Sequence, residues 1–223
     1  MHCKTFIKEI FESVQGEGPY IGVNQLFIRF GKCNLNCFYC DTDFETDLKE
    51  YTAETLYTVV KNYKNIHSIS LTGGEPLMET AFLSEFLPLL NKPVYLETNG
   101  TLYDNLKQII QYIDIISMDV KLPSCSKMTD LFNEHKNFIK IAVENNKEIF
   151  LKMVFDENIT DEEINKTIEI AQINNLLIIL QPKMDGEILK LSSSTIYKVF
   201  YNIISKYNNV RLIPQVHKFL NIK

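Results

Sequence analysis

Short runs rich in β-branched, leucine and aromatic residues alternate along this chain with amphipathic stretches, and that alternation restricts the fold more than any other feature. Strand-like runs fall at 25–30 (QLFIRF), 68–72 (SISLT), 94–97, 115–119, 149–155, 176–181 and 210–213. Helices are expected at 52–64, in a stretch ending at Leu90, at 102–111, at 160–174 and at 193–207. In 160–174, Thr160 and Glu163 have capping-box spacing, and Ile164, Ile168 and Ala171 make one apolar stripe. Strand–helix alternation implies crossover connections and a mostly parallel sheet. About six or seven such units fit in 223 residues, short of the eight units and ~250 residues of a complete (βα)8 barrel. A shortened, open barrel or a doubly wound sheet is therefore expected, as one domain over 1–223. In either layout, ligands meet the C-terminal ends of the strands.

Composition narrows the function classes. Hydrophobic residues make up 45% and charged residues 23% of the chain, values of a globular protein and not of a disordered one. No apolar run approaches the ~18 residues of a membrane span. The run MHCKTFIKEIFESVQ carries charges throughout, so no secretory leader is expected. With 23 basic and 28 acidic residues the net charge is -5, which argues against a broad nucleic-acid face but not against a small anion held by a few cations. The five cysteines are an odd number, and three of them cluster. In the reducing cytoplasm, the expected compartment, clustered cysteines are metal ligands more often than disulfides.

The unusual motifs all fall where a strand ends: the cysteines after Phe30, Gly73-Gly74-Glu75-Pro76 after Thr72, Glu97-Thr98-Asn99-Gly100 after Leu96, Asp119-Val120-Lys121 after Met118, and Gln181-Pro182 after Leu180. Cys33, Cys37 and Cys40 are spaced CxxxCxxC, and three thiolates this close can share one soft metal centre. A structural zinc site would need a fourth ligand, usually from a second pair, and the other candidates (Cys3, Cys125, His2, His67, His135, His217) are scattered. A redox pair of Cys37 and Cys40 leaves Cys33 unexplained, and a ferredoxin needs a fourth cysteine. Three cysteines suit a [4Fe–4S] cluster with one iron left open. Alone, Gly73-Gly74 reads as a turn and Gln15-Gly16-Glu17-Gly18 as a solvated loop. Arg29 interrupts the strand FIRF: outward it is solvated, inward it needs an anionic partner.

Taken together, CxxxCxxC with Tyr39 before the last cysteine, followed by Thr72-Gly73-Gly74-Glu75-Pro76, resembles the radical S-adenosylmethionine (SAM) superfamily. Glu9-Ile10-Phe11, the run from Val14 to Gly18, Phe27-Ile28-Arg29, Cys40-Asp41-Thr42 and the run from Gln215 to Ile222 resemble the 7-carboxy-7-deazaguanine synthase (QueE) family, from residue 9 to the end of the chain. The resemblance implies a partial (βα)6 TIM-like barrel. It implies a lyase that contracts 6-carboxy-5,6,7,8-tetrahydropterin to 7-carboxy-7-deazaguanine and ammonia, in the biosynthesis of queuosine and other deazapurines. It further implies a [4Fe–4S] cluster, SAM, Mg2+, a homodimer and a reductant such as flavodoxin.

Residue by residue, the resemblance gives the cluster to Cys33, Cys37 and Cys40, and Mg2+ to Thr42. It gives SAM to Gly74, Glu75, Asp119, Val120, Lys121 and Gln181, with Glu75 accepting from the SAM ammonium. It gives the substrate to Val14, Gln15, Gly16, Glu17, Arg29 and Thr72, with Arg29 toward its carboxylate. No side chain is expected to act as catalytic acid, base or nucleophile, because the cofactor carries the radical. Departures exist: Asp119-Val120-Lys121 replaces the family's Ser-Pro-Lys, Lys183 is inserted after Pro182, and Lys223 stands at the last position in place of proline. Two rival readings remain at this point, a glycyl-radical-enzyme activating protein and a non-catalytic zinc or iron–sulfur module.

Overall fold

A computed structural model of the chain describes residues 3–40 and 46–223. In chain order its elements are β1 (Lys4–Val14), β2 (Asn24–Phe30), β3 (Lys49–Thr52), α1 (Ala53–Val60), β4 (Ser68–Gly73), α2 (Thr80–Phe86), β5 (Val94–Thr98), α3 (Tyr103–Ile109), β6 (Ile115–Val120), α4 (Pro123–Ser126), α5 (Phe132–Glu144), β7 (Glu148–Phe155), α6 (Asp161–Gln172), β8 (Ile178–Pro182), β9 (Met184–Asp185), β10 (Ile188–Leu189), α7 (Ser193–Ile204), β11 (Val210–Leu212) and α8 (Val216–Phe219). Nine strands form one sheet in the order β11-β8-β7-β6-β5-β4-β2-β1-β3. From β2 to β11 every neighbouring pair is parallel. β1 runs antiparallel to β2, and β3 antiparallel to β1.

The two faces of the sheet have different chemistry. Outward residues such as Ile28, Leu71, Leu96, Ile116, Leu151 and Leu180 pack in one core with helix residues Leu56, Phe82, Leu106, Phe138, Ile164 and Val199. Tyr95, Ile115, Phe150 and Ile179 form a separate buried cluster with Tyr20, and no α-helical residue belongs to it among the described residues. Helices thus cover one face and the other is an interior, the arrangement of a partial (βα)6 barrel; a doubly wound sheet carries helices on both faces.

Inside the barrel β5, β6, β7 and β8 change from apolar to polar within two or four residues. Tyr95 gives way to Glu97, Ile115 to Ser117 and Asp119, Phe150 to Lys152, and Ile179 to Gln181. Period-2 alternation keeps these residues on one face. The apolar layer plugs the N-terminal end of the barrel, where Tyr20 stacks edge-on to Tyr95 at 5.6 Å. The polar layers open at the C-terminal end.

Helix ends explain several differences from the sequence-based boundaries. The capping box of Thr160 and Glu163 is formed and starts α6. A second one, Thr52 with Thr55, starts α1, which stops at Val60, short of residue 64. The stretch ending at Leu90 is broken by 3-10 turns at Pro76 and Pro88, leaving only Thr80–Phe86 as α-helix. β1 is an unanticipated strand because a register shift between Ile7 and Glu9 breaks its alternation. α5 is also unanticipated, although Phe132, His135, Phe138, Ile139 and Ala142 have helical spacing and are buried.

Candidate active site

The polar end of the barrel encloses a cavity of about 280 Å3. Its wall includes Cys33, Cys37, Cys40, Gly73 and Gly74 on one side and Val14, Gln15, Gly16, Glu17, Arg29 and Thr72 on another. Asp119, Lys121 and Gln181 lie on the same wall. Thr42, assigned above to Mg2+, lies outside the described residues.

The cysteine loop is held by the elements around it. Phe38 N donates to Ser126 O at 2.9 Å, and Cys40 N to Cys37 O at 3.0 Å. Asn99 Nδ2 donates to Asn34 Oδ1 at 2.8 Å, and Asn34 Nδ2 to Thr101 Oγ1 at 2.9 Å, so the loop is tied to the Glu97–Gly100 corner. Cys33 and Cys37 are half-buried and Cys40 exposed. Burial pushes the thiols of Cys33 and Cys37 up from their ordinary value, and for Cys37 Lys121 pulls the other way. Among the described residues no three His, Cys, Asp or Glu side chains meet around one point as a single ion needs. In a cluster each thiolate holds its own iron, so convergence on one point is not required. Cys125 is elsewhere: it is buried, and burial together with a hydrogen bond to Asp156 pushes its thiol up to about 12.

The glycine loop interlocks with the cysteine loop. Gly74 N donates to Phe30 O at 3.0 Å and Glu75 N to Lys32 O at 2.6 Å. Gly73 has φ +105°, a backbone that a side chain would strain. Glu75 departs from the expected direct contact with an ammonium. Its side chain is fully buried; Oε1 accepts from Leu77 N at 3.1 Å and Thr98 Oγ1 at 2.9 Å, and Oε2 from Asn99 N at 2.8 Å. It fastens the glycine loop to the Thr98-Asn99 corner, and the cavity wall here is the backbone of Gly73 and Gly74. Burial raises its carboxyl to about 7 against those three hydrogen bonds. Val120 also departs from expectation: its side chain lies in the outer core, so of 119–121 only the two charged side chains reach the cavity.

On the other side, Gln15 is buried and its Nε2 donates to Glu97 Oε1 and Gln25 Oε1, both at 3.0 Å. Thr72 Oγ1 donates to Glu97 Oε2 at 2.6 Å. The alternative of a solvated Gln15–Gly18 loop is thereby excluded. Arg29 points inward, and its anionic partner in this structure is Glu9, whose Oε1 accepts from Arg29 Nε at 2.7 Å. Glu9 also pairs with Lys223, whose ammonium lies 4.7 Å from the centre of the Phe11 ring. The C-terminal run packs on the same side: Val216 N donates to Gly16 O at 2.9 Å, and a Cβ on Gly16 would lie 2.2 Å from His217 Nδ1.

A residue absent from the sequence analysis connects the two sides. Lys152 is cross-strand neighbour to Asp119, and its Nζ lies 3.0 Å from Asp119 Oδ1 and pairs with Glu17 Oε2. Asp119 Oδ2 also accepts from Lys121 Nζ at 2.8 Å. Burial disfavours charge on all four groups, yet they hold one another ionised: both carboxyls are lowered and both ammonium groups raised from their ordinary values. The signal for Lys152 in the sequence is a lone lysine at an inward register of the apolar strand IFLKMVF.

Fold and site together are those of a barrel enzyme with one ligand cavity at the C-terminal ends of its strands and a three-cysteine loop on its wall. The family model described as the Radical SAM superfamily matches residues 27–171, and the chain belongs to that superfamily. Within it, the chain belongs to the 7-carboxy-7-deazaguanine synthase family. It is 38% identical to the 7-carboxy-7-deazaguanine synthase of Geobacter sulfurreducens, with 96% of each chain covered. It is 34% identical to that of Archaeoglobus fulgidus, covering 96% of this chain and 97% of the relative. Among solved structures, QueE from Escherichia coli superposes with TM-score 0.65 at 19% identity, covering 96% of this chain and 95% of the other, a likeness of fold.

Proposed function

We propose that the chain is a radical SAM lyase that contracts 6-carboxy-5,6,7,8-tetrahydropterin to 7-carboxy-7-deazaguanine with release of ammonia. The observation that carries this reading is a single cavity with three cysteines and a glycine backbone at one side and a glutamine, a carboxylate and an inward arginine at the other. That donor set fits a cluster: three thiols share one loop, and the remaining described cysteines, Cys3 and Cys125, do not line the cavity.

Cys33, Cys37 and Cys40 would each hold an iron and leave one for SAM. When bound, the cluster and SAM supply a carbon radical able to abstract hydrogen. Gly73 and Gly74 let the backbone approach SAM, while Glu75 fixes that loop in place. Asp119 and Lys121 reach toward its ribose and carboxylate. Gln181 Oε1, buried and without a hydrogen-bond partner among the described residues, adds an acceptor on the cavity wall. Glu17 and Gln15 suit the donor–acceptor edge of a pterin, Val14, Gly16 and Thr72 wall it, and Arg29 exchanges Glu9 for the substrate carboxylate. The Tyr95 layer closes the far end against water.

Magnesium at Thr42 belongs to the same proposal, since Mg2+ keeps waters and asks few oxygens of a protein. So do a homodimer, a reductant such as flavodoxin and the reducing cytoplasm. No helix among the described residues is long and apolar enough to cross a membrane. The test is an anaerobic incubation of reconstituted protein with SAM, a reductant and the carboxytetrahydropterin, read by mass. The reading expects the ring-contracted product and ammonia; SAM cleavage with unchanged pterin would oppose it.

A further inference from the structure

Four alternating charges run across the floor of the cavity: Lys121, Asp119, Lys152 and Glu17. Lys121 begins the chain against the cysteine loop, its Nζ 3.5 Å from the Tyr39 hydroxyl and 5.5 Å from the ring centre. Asp119 accepts from Lys121 at 2.8 Å through one oxygen and faces Lys152 at 3.0 Å through the other. Lys152 pairs with Glu17 at the far end. Glu17 is held besides by Gln181 Nε2 at 3.2 Å and Gln215 Nε2 at 2.6 Å. The side chain of Lys152 is only 9% exposed, so it has few partners beyond these two carboxylates. Buried ion pairs of this kind add little to stability against apolar packing, and a switching role is their better-attested use.

We propose that Lys152 is a positioning residue that couples the SAM subsite to the pterin subsite, so that each ligand tightens the other. The proposal rests on the assignment of the two subsites given under Proposed function. Its physical basis is competition for shared charge. Donor groups of a pterin arriving at Glu17 compete with the Lys152 ammonium. Lys152 then gives more of its charge to Asp119, and Asp119 holds Lys121 less. Lys121, released from its partner, is free to meet an anionic group at the SAM side. The same sequence runs backwards when SAM arrives first, because coupling between two sites is reciprocal.

The test measures the dissociation constant of SAM on the oxidised, cluster-loaded protein, which does not turn over, with and without saturating 6-carboxytetrahydropterin. The wild type is expected to bind SAM about fivefold or more tightly when the pterin is present. In Lys152→Met the ratio falls to within about twofold of one, while each ligand alone still binds. Lys152→Gln, which keeps a polar tip, reads the same ratio should the methionine variant not fold. Wild-type coupling retained in a folded Lys152 variant overturns the proposal. So does a wild type that binds both ligands without coupling, and this leaves the functional assignment standing. A wild type that binds SAM but no pterin overturns that assignment and this proposal with it.

Discussion

A methyl group placed on Gly74 would lie 1.7 Å from the carbonyl oxygen of Lys32, the residue before the first clustered cysteine. The obstacle is backbone, so the side chain of a neighbour cannot relieve it. The same oxygen accepts from Glu75 N at 2.6 Å. The glycine motif and the cysteine motif, far apart in sequence, are therefore one mechanical unit.

Gly74→Ala is expected to push the cysteine loop away from the β4 end and to leave the cluster incompletely assembled. Iron and sulfide analysis after reconstitution checks this: less than half of the wild-type content is expected, in protein that keeps its far-ultraviolet circular dichroism.

Cysteine substitutions should divide by position. Cys37→Ala abolishes SAM cleavage, because a ligand of the cluster is lost. Cys125→Ser keeps wild-type iron content and activity within about threefold, with a modest loss of stability from the buried pair with Asp156. Iron content and 5′-deoxyadenosine release read the difference.

Arg29→Ala should raise KM for the pterin by about 10- to 100-fold, the weight of a charge-assisted hydrogen bond. SAM cleavage should persist, since the guanidinium of Arg29 is engaged by Glu9 of β1 and not by a cysteine-loop side chain. An unchanged KM would make Arg29 a purely structural partner of Glu9.

How much was legible in the sequence follows from where the information is local. The parallel alternation, the Thr160 cap and the cysteine and glycine motifs are local patterns, and each lies where the strand ends place it. The orientation of Glu75 and Val120 was not legible, because strand register and a 3-10 turn at Pro76 decide which side faces the cavity. Lys152 meets Asp119 only through strand pairing, and Glu17 only through barrel curvature, so neither contact has a sequence signature. β1 was hidden by its register shift.

His135 gives a pH dependence of stability. It is fully buried on α5, with Nε2 3.1 Å from the Asn99 carbonyl oxygen, and burial lowers its pKa from 6.5 to about 4. The unfolded chain binds a proton below pH 6.5 that the folded protein refuses until about pH 4. The stability it contributes is therefore full above pH 6.5 and lost as pH falls toward 4, by up to roughly 3 kcal/mol. Glu75, raised to about 7, works in the opposite direction over part of this range. Urea unfolding of wild type and His135→Gln at pH 7.5 and 5 separates the two: the variant should lose the acid-side fall attributable to the imidazole.

One cavity brings the pterin C6 hydrogen against the 5′ carbon of SAM. Because ring contraction with loss of ammonia needs no net oxidant, the abstracted hydrogen must return and SAM must re-form. With substrate deuterated at C6, mass analysis of the SAM recovered after turnover, and of any 5′-deoxyadenosine released by abortive cleavage, is expected to find deuterium in the adenosyl group. Unlabelled SAM and 5′-deoxyadenosine alongside ring-contracted product would rule this arrangement out.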